Sequence, residues 1–393
     1  MHRLWFEWFG RSILALSYLV TGLAPSVFAA PIIPPPPSVA ASSYLLMDAN
    51  SQKILVAENA TERLPPASLT KIMTAYIVEE EINAGRLNTE EKAPISVNAW
   101  RTGGSKMFIR EGTEVAVGDL LKGIIIQSGN DASVALAEHI AGSEDAFANM
   151  MNQQARALGL NDTNFLNATG LPDEQHYSTA EDLARLTIAL INNHPEQYRL
   201  YAERSYKFND IDQPNRNKLL WRDRSVDGVK TGYTSAAGYC LVASAERNGV
   251  RLVSVVMGTD SDEARMRESQ KLLSYGFRNF DTQTLYQAGI NLRQQEVYFG
   301  ESESVALGVA EDVTITFPRG YYDDIEVAMD LAEYLEAPVS AGQEVGELKL
   351  SLGDELLYSA PLQTLNAVSE ANFFSRLGDS IFLFYSSIFS DDG

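Results

Sequence analysis

The sequence predicts an α+β fold, and three features of the chain predict it. Two apolar strand patterns, at 43–48 and 53–58, form an early hairpin across Ala49-Asn50-Ser51. A mainly helical block follows, and a second hairpin pattern comes late, at 239–245 and 250–257. We therefore expect one antiparallel sheet that the early and late strands share, with the helices packed against it.

The helical block begins at Ser68, directly after Pro65-Pro66 stops the preceding segment. Apolar residues recur every three or four positions from there, and Gly85 ends the first helix. Further helices are predicted at 117–126, 131–141, 144–158 and 178–191.

Turn and cap signals support the later elements. Ser178 and Glu181 stand three residues apart, which is the spacing of a capping box at the start of the helix 178–191. The late hairpin turns through Arg247-Asn248-Gly249. Helical periodicity returns at about 262–277.

The chain changes character at about residue 287. Short strand patterns separated by turns replace the long helices, which predicts a small all-β domain over 287–367 after a catalytic domain over 43–286. The domain contains no Cys and no His, and nothing in it indicates chemistry. Its expected strands are 297–299, 305–309, 313–317, 325–331, 347–351 and 355–359.

Both ends of the chain indicate an exported protein that works at a membrane. Residues 1–29 have the basic start, short apolar run and small-residue cleavage site of a signal peptide, and 30–42 is a Pro-rich lead-in. Within 368–393, large apolar residues are spaced 3, 4, 3, 4, which predicts an amphipathic helix lying on the periplasmic face of the cytoplasmic membrane. These residues are Phe374, Leu377, Ile381, Phe384 and Ile388.

Composition excludes several functions. The formal net charge of −21 repels nucleic acid. Four His and one Cys, without metal-ligand spacing, indicate neither a metal site nor a cofactor. The single Cys240 cannot form an internal disulfide and is expected to be buried as a small apolar residue.

The first motif with a chemical meaning is Ser68-Leu-Thr-Lys71. Lys71 lies one helical turn after Ser68, so its amine can reach the serine hydroxyl, which needs a base at neutral pH. Lys71 can be that base only if its pKa falls well below about 10.4, and the charge of Lys230 is expected to lower it. Alone, the motif is more typical of an ordinary helix N-terminus.

The second motif, Ser128-Gly129-Asn130, follows an apolar run and precedes a helix. Its hydroxyl can relay a proton to a leaving amine, and its amide can hold the substrate backbone or Lys71. Alone, it is more typical of a turn between helices.

The third motif, Lys230-Thr231-Gly232, lies on a predicted strand. An edge strand can pair with an extended peptide, Gly232 permits close approach of a backbone, and Lys230 with Thr231 can bind a carboxylate. Alone, it is more typical of an exposed strand lysine. In this order and spacing, however, the three motifs indicate a serine acyl-transfer enzyme that acts on β-lactam-like peptide bonds.

The chain resembles the low-molecular-mass penicillin-binding proteins of the penicillin-binding protein 5 type, in peptidase family S11. Besides the motifs, the segments 130–138, 167–171 and 226–232 carry the resemblance, as does an all-β domain followed by a tail helix. The resemblance implies a β-lactamase/transpeptidase-like fold. It also implies removal of the terminal D-Ala from the peptidoglycan stem pentapeptide, in cell wall biogenesis and cell shape, and covalent binding of β-lactam antibiotics.

The resemblance also implies a role for each site residue. Ser68 corresponds to the nucleophile, Lys71 to the general base and Ser128 to the proton relay, while the substrate-binding residues would be Asn130, Lys230, Thr231, Gly232 and Arg265. Arg265 would bind the terminal carboxylate, with Arg267 as the alternative. The oxyanion would meet the N–H of Ser68 and of a residue on the Lys230 strand, for which Tyr239 is a candidate.

One position departs from the family. Some members carry a His directly after Lys-Thr-Gly, where this chain has Tyr233. The difference bears on how fast the acyl-enzyme is hydrolysed, and it leaves the nucleophile in place.

Three alternative functions remain open at this point. A class A β-lactamase needs a carboxylate base on a loop, but 167–179 lacks its Glu-x-x-Leu-Asn pattern, and a turn explains Asp173 and Glu174. A D,D-endopeptidase would use the same motifs. A non-catalytic cell-wall-binding protein would not need all of these residues.

Overall fold

The computed structural model describes residues 33–372. The predicted signal peptide and the apolar stripe of the predicted tail helix lie outside the described residues. Within 33–372, no helix is long and apolar enough to cross a bilayer.

The helices follow the order predicted from the sequence. Nine α-helical segments are present among the described residues: α1 (Lys71–Asn83), α2 (Val97–Arg101), α3 (Val117–Lys122), α4 (Asn130–Ala141), α5 (Glu144–Ala157), α6 (Ala180–Asn193), α7 (Pro195–Tyr198), α8 (Leu219–Arg222) and α9 (Asp262–Asn279).

The strands before α9 all belong to the first domain. They are β1 (Ser43–Asp48), β2 (Ile54–Glu58), β3 (Lys92–Pro94), β4 (Glu114–Ala116), β5 (Ser205–Phe208), β6 (Ile211–Pro214), β7 (Val226–Thr234), β8 (Gly238–Arg247) and β9 (Val250–Thr259). In this domain, β3-β4 and β5-β6 form two small two-stranded sheets separate from the central one.

The strands after α9 build the second domain. They are β10 (Phe280–Tyr286), β11 (Arg293–Tyr298), β12 (Ser304–Gly308), β13 (Val313–Pro318), β14 (Glu326–Leu331), β15 (Leu335–Glu336), β16 (Glu344–Leu352) and β17 (Glu355–Thr364).

The central sheet has the order β2-β1-β9-β8-β7, and every neighbouring pair is antiparallel. The prediction that early and late strands share one antiparallel sheet is thus confirmed. The register sets Leu45 opposite Val255 and Thr231 opposite Leu241. Strand β7, which carries the third motif, forms one edge of this sheet.

Helices cover both faces of the sheet. Leu45 and Met47 of β1 belong to the core cluster of α1, α4 and α6, whereas Tyr44 and Leu46 belong to the cluster of α9. Because successive strand residues point to opposite faces, this sandwich explains why all six residues of β1 are buried.

Three local structures differ from the sequence-based prediction. Ala67–Thr70 forms a short 3₁₀ turn before α1, and α3 ends at Lys122 in a π-helical turn, Gly123–Gln127. The predicted capping box is wrong, because the hydroxyl of Thr179 accepts the hydrogen bond from the N–H of Asp182. Ser178 instead pairs with the backbone of Leu64.

The all-β domain contains a six-stranded sheet, β14-β16-β17-β12-β11-β15, and the pair β10-β13. Its limits differ from the expected 287–367. β10 pairs with β13, so the domain begins at Phe280, and backbone bridges from Val368 and Glu370 carry it past 367.

Short polar contacts join the two domains. The hydroxyl of Thr282 donates to Asp48 at 2.6 Å, and the hydroxyls of Ser51 and Thr316 are 2.6 Å apart. These contacts lie at the turn between β1 and β2, so the second domain is fixed to the sheet that carries the motifs.

Candidate active site

Ser68 lies in the 3₁₀ turn that leads into α1, and Lys71 is the first residue of that helix. The turn brings the two side chains together, and the Lys71 ammonium donates to the Ser68 hydroxyl at 3.1 Å. The close approach expected from the spacing of the first motif is therefore present.

Two further groups accept hydrogen bonds from Lys71. These are the side-chain oxygen of Asn130 at 2.6 Å and the backbone carbonyl of Thr169 at 2.5 Å. Only 1% of Lys71 is exposed. Together with Ser68, these acceptors match the three donors of an ammonium.

Burial lowers the pKa of Lys71 to about 7. The negative charges of Asp131 and Glu144 raise this pKa, but by less than burial lowers it. The expectation that Lys230 supplies the lowering effect is wrong, because removal from water is the dominant cause. Repulsion between the two lysines affects Lys230 instead. The pKa of Lys230 lies well below its ordinary value, first through burial and then through the charges of Lys71, Arg265 and Arg216.

Ser128 is positioned by a left-handed backbone conformation (φ 65°, ψ 36°) at the end of the π-helical turn. The Lys230 ammonium donates to its hydroxyl at 2.9 Å and to the carbonyl of Thr231 at 2.8 Å. The second and third motifs are thus joined by a direct hydrogen bond.

Gly129 and Asn130 fix the second motif against a neighbouring loop. A Cβ at Gly129 would stand 2.9 Å from a carboxylate oxygen of Asp131 and 3.2 Å from the N–H nitrogen of Met107. The side-chain amide of Asn130 donates to the carbonyl of Gly103 at 2.7 Å. Asn130 therefore links this loop to Lys71.

Gly232 allows close approach of a neighbouring segment of the protein, whereas the sequence predicted close approach of a substrate backbone. A Cβ there would lie 3.1 Å from the carbonyl oxygen of Pro66 and 3.3 Å from Ala67. The glycine therefore lets β7 pack tightly against the turn that carries Ser68.

Arg265 lies in the first turn of α9 and reaches the strand of the third motif. Its guanidinium donates to the carbonyl of Gly232 at 3.0 Å and forms an ion pair with Asp262. Arg267 instead pairs with Glu268 and is more than half exposed, and it does not line the cleft that contains Ser68. Of the two candidate arginines, only Arg265 reaches the site.

The oxyanion candidate Tyr239 lies in β8 and not on the Lys230 strand. It pairs with Tyr233 of β7 on one side and with Thr259 of β9 on the other, so other strands flank its backbone on both sides. The open backbone edge belongs to β7. Tyr233 on that strand is 53% exposed, and its ring packs against the ring of Tyr239.

These side chains surround one cleft of about 940 Å³. Ser68, Ser128, Thr231, Gly232 and Arg265 line it, and Lys71 and Lys230 lie buried behind the two serines. All of the predicted site residues thus come together in the structure. The aromatic rings of Trp221, Tyr233 and Tyr239 also line the cleft.

Sequence reasoning missed three contributors. The carbonyl of Thr169 carries no side-chain signature that a motif could have revealed. Asp131 accepts hydrogen bonds from the N–H groups of Met107, Phe108 and Ile109 and so holds the loop that Asn130 contacts. Its signal was a carboxylate directly after the second motif. Arg216 also lines the cleft.

The loop over 167–179 approaches Lys71 with a backbone carbonyl and not with a carboxylate. Asp173 and Glu174 are exposed, and the side chain of Asp173 accepts a hydrogen bond from the N–H of Gln175 within the turn. Among the described residues, this loop contains no acid in hydrogen-bond contact with Ser68 or Lys71. Within the part of the chain that the structure describes, this loop therefore offers no counterpart of the carboxylate base that a class A β-lactamase uses.

Comparisons with known proteins agree with this geometry. The family model for D-alanyl-D-alanine carboxypeptidase (peptidase S11) matches residues 30–261, and the model for the penicillin-binding protein 5 C-terminal domain matches 280–370. The chain is 42% identical to D-alanyl-D-alanine carboxypeptidase DacC of Escherichia coli (strain K12), with 95% of each covered. It is 44% identical to DacA of Haemophilus influenzae over 90% of this chain and 92% of the relative.

A solved structure shows the same likeness in three dimensions. Penicillin-binding protein 5 from Haemophilus influenzae superposes with a TM-score of 0.84 and 44% identity, covering 86% of this chain and 99% of that structure. The fold class predicted from the sequence is thereby confirmed over the described residues. By sequence and by structure, the chain belongs to the D-alanyl-D-alanine carboxypeptidase family.

Proposed function

We propose that this chain is a serine-type D-Ala-D-Ala carboxypeptidase that removes the terminal D-Ala from the peptidoglycan stem pentapeptide. The family and its curated carboxypeptidase relatives support the activity. The observation that carries the mechanism is the contact of 3.1 Å between the Lys71 amine and the Ser68 hydroxyl, with a Lys71 pKa of about 7.

Acylation begins when neutral Lys71 takes the proton of the Ser68 hydroxyl, and the serine oxygen attacks the carbonyl of the penultimate D-Ala. The developing oxyanion is stabilised by backbone N–H groups, from Ser68 and from the open edge of β7. The hydrogen bonds that Lys71 donates to the side-chain oxygen of Asn130 and to the carbonyl of Thr169 keep its amine directed at the serine.

Breakdown of the tetrahedral intermediate needs a proton on the leaving nitrogen. The Ser128 hydroxyl, which accepts a hydrogen bond from Lys230, relays to this nitrogen the proton that Lys71 took from Ser68, so Lys71 is neutral again. Thr231 and Arg265 hold the terminal carboxylate, and the free D-Ala then leaves. Water hydrolyses the acyl-enzyme on Ser68 in the second half of the reaction, with Lys71 as the base.

The same nucleophile would react with β-lactam antibiotics. Their strained amide takes the place of the D-Ala-D-Ala bond, and their carboxylate takes the place of the terminal one. Attack by Ser68 opens the ring, so no leaving group departs, and the acyl group stays on the serine.

The site residues can be tested with one substitution. Purified protein is incubated with an N-acylated L-Lys-D-Ala-D-Ala peptide, and free D-Ala is measured. Ser68→Ala should abolish D-Ala release and covalent labelling by fluorescent penicillin, whereas the matched Ser302→Ala change, on the all-β domain, should alter neither. Release of D-Ala by Ser68→Ala at the wild-type rate would contradict the proposal.

The competing endopeptidase function is separated by a second substrate. A cross-linked dimeric muropeptide should lose terminal D-Ala where a pentapeptide is present, but should stay dimeric. Conversion to monomers at a rate similar to D-Ala release would favour the endopeptidase.

We also propose that the protein is exported and bound to the periplasmic face of the cytoplasmic membrane through its C-terminal segment. The signal-peptide pattern and the apolar spacing over 374–388 support this location. A chain that ends at Ala371 should keep D-Ala release and no longer sediment with liposomes. Equal sedimentation of the full and shortened chains would contradict it.

A further inference from the structure

The guanidinium of Arg265 is held mainly by the protein itself. It donates to the carbonyls of Gly232 and Cys240, at 3.0 and 3.4 Å, and forms an ion pair with Asp262. Among the described residues, its Nε has no hydrogen-bond partner. Arg265 is therefore already paired with one carboxylate before any substrate arrives.

The two carboxylate oxygens of Asp262 contact two different cations. One oxygen pairs with Arg265, and the other accepts a hydrogen bond of 2.6 Å from the Lys218 ammonium. Lys218 directly precedes α8, so this aspartate connects α8 with the start of α9. All three side chains line the cleft that contains Ser68.

Asp262 carries a negative charge under the conditions in which the enzyme works. Partial burial raises the pKa of Asp262, but the hydrogen bond from Lys218 and the charge of Arg265 outweigh burial, and its pKa lies below the ordinary value. A fixed anion thus stands beside Arg265, to which the proposed function assigns the substrate's carboxylate, and Lys218 and Arg216 line the same cleft.

We propose that Asp262 competes with the substrate's C-terminal carboxylate for Arg265, and that Lys218 limits this competition by holding the second oxygen of Asp262. Asp262 and Lys218 together determine how strongly the cleft prefers peptides with a free C-terminal carboxylate. This inference rests on the proposed carboxypeptidase function and adds two specificity-determining residues to it.

The two residues have opposite predicted effects, which a purely structural role would not produce. Asp262→Asn removes the competing charge and keeps an oxygen that can accept from Arg265. Lys218→Met removes the cation that binds the second oxygen of Asp262, so Asp262 then pairs with Arg265 only. The preference for an acid over an amide substrate should rise in the first variant and fall in the second.

The measurement is the ratio of kcat/KM for an N-acylated L-Lys-D-Ala-D-Ala and for its C-terminal amide. A unit charge roughly 6 Å from the bound carboxylate, at an effective dielectric constant of about 40 to 80, changes this ratio about three- to tenfold. Acylation by benzylpenicillin and by its methyl ester gives the same comparison where turnover of the amide is too slow to measure.

Asp281→Asn is the matched control. Asp281 of β10 pairs with Arg319 at 2.8 Å, and neither side chain lines the cleft that contains Ser68. Its removal should leave the ratio unchanged. Equal ratios in Asp262→Asn and wild type, a change of the same sign in Asp262→Asn and Lys218→Met, or an equal change in Asp281→Asn would overturn the inference.

Failure of this inference is distinguishable from failure of the proposed function. If the wild-type protein releases no D-Ala and takes up no penicillin, the carboxypeptidase function is wrong. If the wild type is active and the ratio does not respond to Asp262→Asn, only the role of Asp262 is wrong.

Discussion

Acylation of Ser68 should depend on the deprotonation of Lys71, with a midpoint near pH 7. Burial brings the pKa of Lys71 from 10.5 to about 7. At pH 7 the neutral fraction therefore rises from about one in 3000 to about one half, a difference of about 5 kcal/mol between the two protonation states. The rate of acylation should increase with pH up to about 8 and then level off, until other groups titrate.

Two substitutions test the origin of this profile. Lys71→Arg keeps a cation that cannot lose its proton, so acylation should fall about 10²- to 10⁴-fold. The change Lys122→Arg, away from the site, is its control. Glu144→Gln removes a charge that raises the pKa of Lys71, so the midpoint should move to lower pH.

The assay is the second-order rate of labelling by fluorescent penicillin between pH 5 and pH 10. Labelling, unlike turnover, reports acylation without the later hydrolysis. A rate that is flat from pH 5 to pH 9, or a midpoint near that of an ordinary lysine, would refute the role of burial in making Lys71 a base.

Two further predictions concern buried carboxylates. Asp131→Asn replaces an acceptor of three N–H groups in the loop 107–109 by a side chain with a single acceptor oxygen; it should cost about 2–4 kcal/mol of stability and slow acylation, measured by calorimetry and penicillin labelling. Glu79 is fully buried in α1, and burial raises its pKa well above 4.5. The folded state keeps a proton that the unfolded chain loses above about pH 4.5, so wild-type stability falls as pH rises. Glu79→Met should raise the melting temperature at pH 8, with a smaller gain at pH 5, and an equal gain at both pH values would contradict this reasoning.

The pairing of the main sheet could be predicted because its signals are local. Alternating apolar patterns and the turn Arg247-Asn248-Gly249 define the hairpins, and two hairpins separated by helices leave few ways to build one sheet. The π-helical turn at Gly123–Gln127 could not be predicted in this way. Its first residue, Gly123, packs against Met107, whose sulfur would lie 2.3 Å from a Cβ at Gly123. A contact between segments so far apart in the chain produces no periodic pattern in the sequence.

The identities of the site residues could be predicted, but their electrostatics could not. The three motifs identify the side chains of the site, and residue type together with spacing predicts their chemistry. The pKa of Lys71 depends on how completely the folded protein removes it from water, which is a property of packing. The sequence therefore suggested a neighbouring cation as the cause, and the structure identifies burial instead.

The position of strand β7 at the edge of the sheet also affects how the protein avoids aggregation. An open sheet edge is a template for aggregation with other extended chains, and in the proposed function the same edge stabilises the oxyanion. The turn at Ala67–Thr70 packs against Gly232 of this strand. Selection for catalysis and selection against self-association thus act on the same few residues, and substitutions that loosen this packing should cost solubility as well as activity.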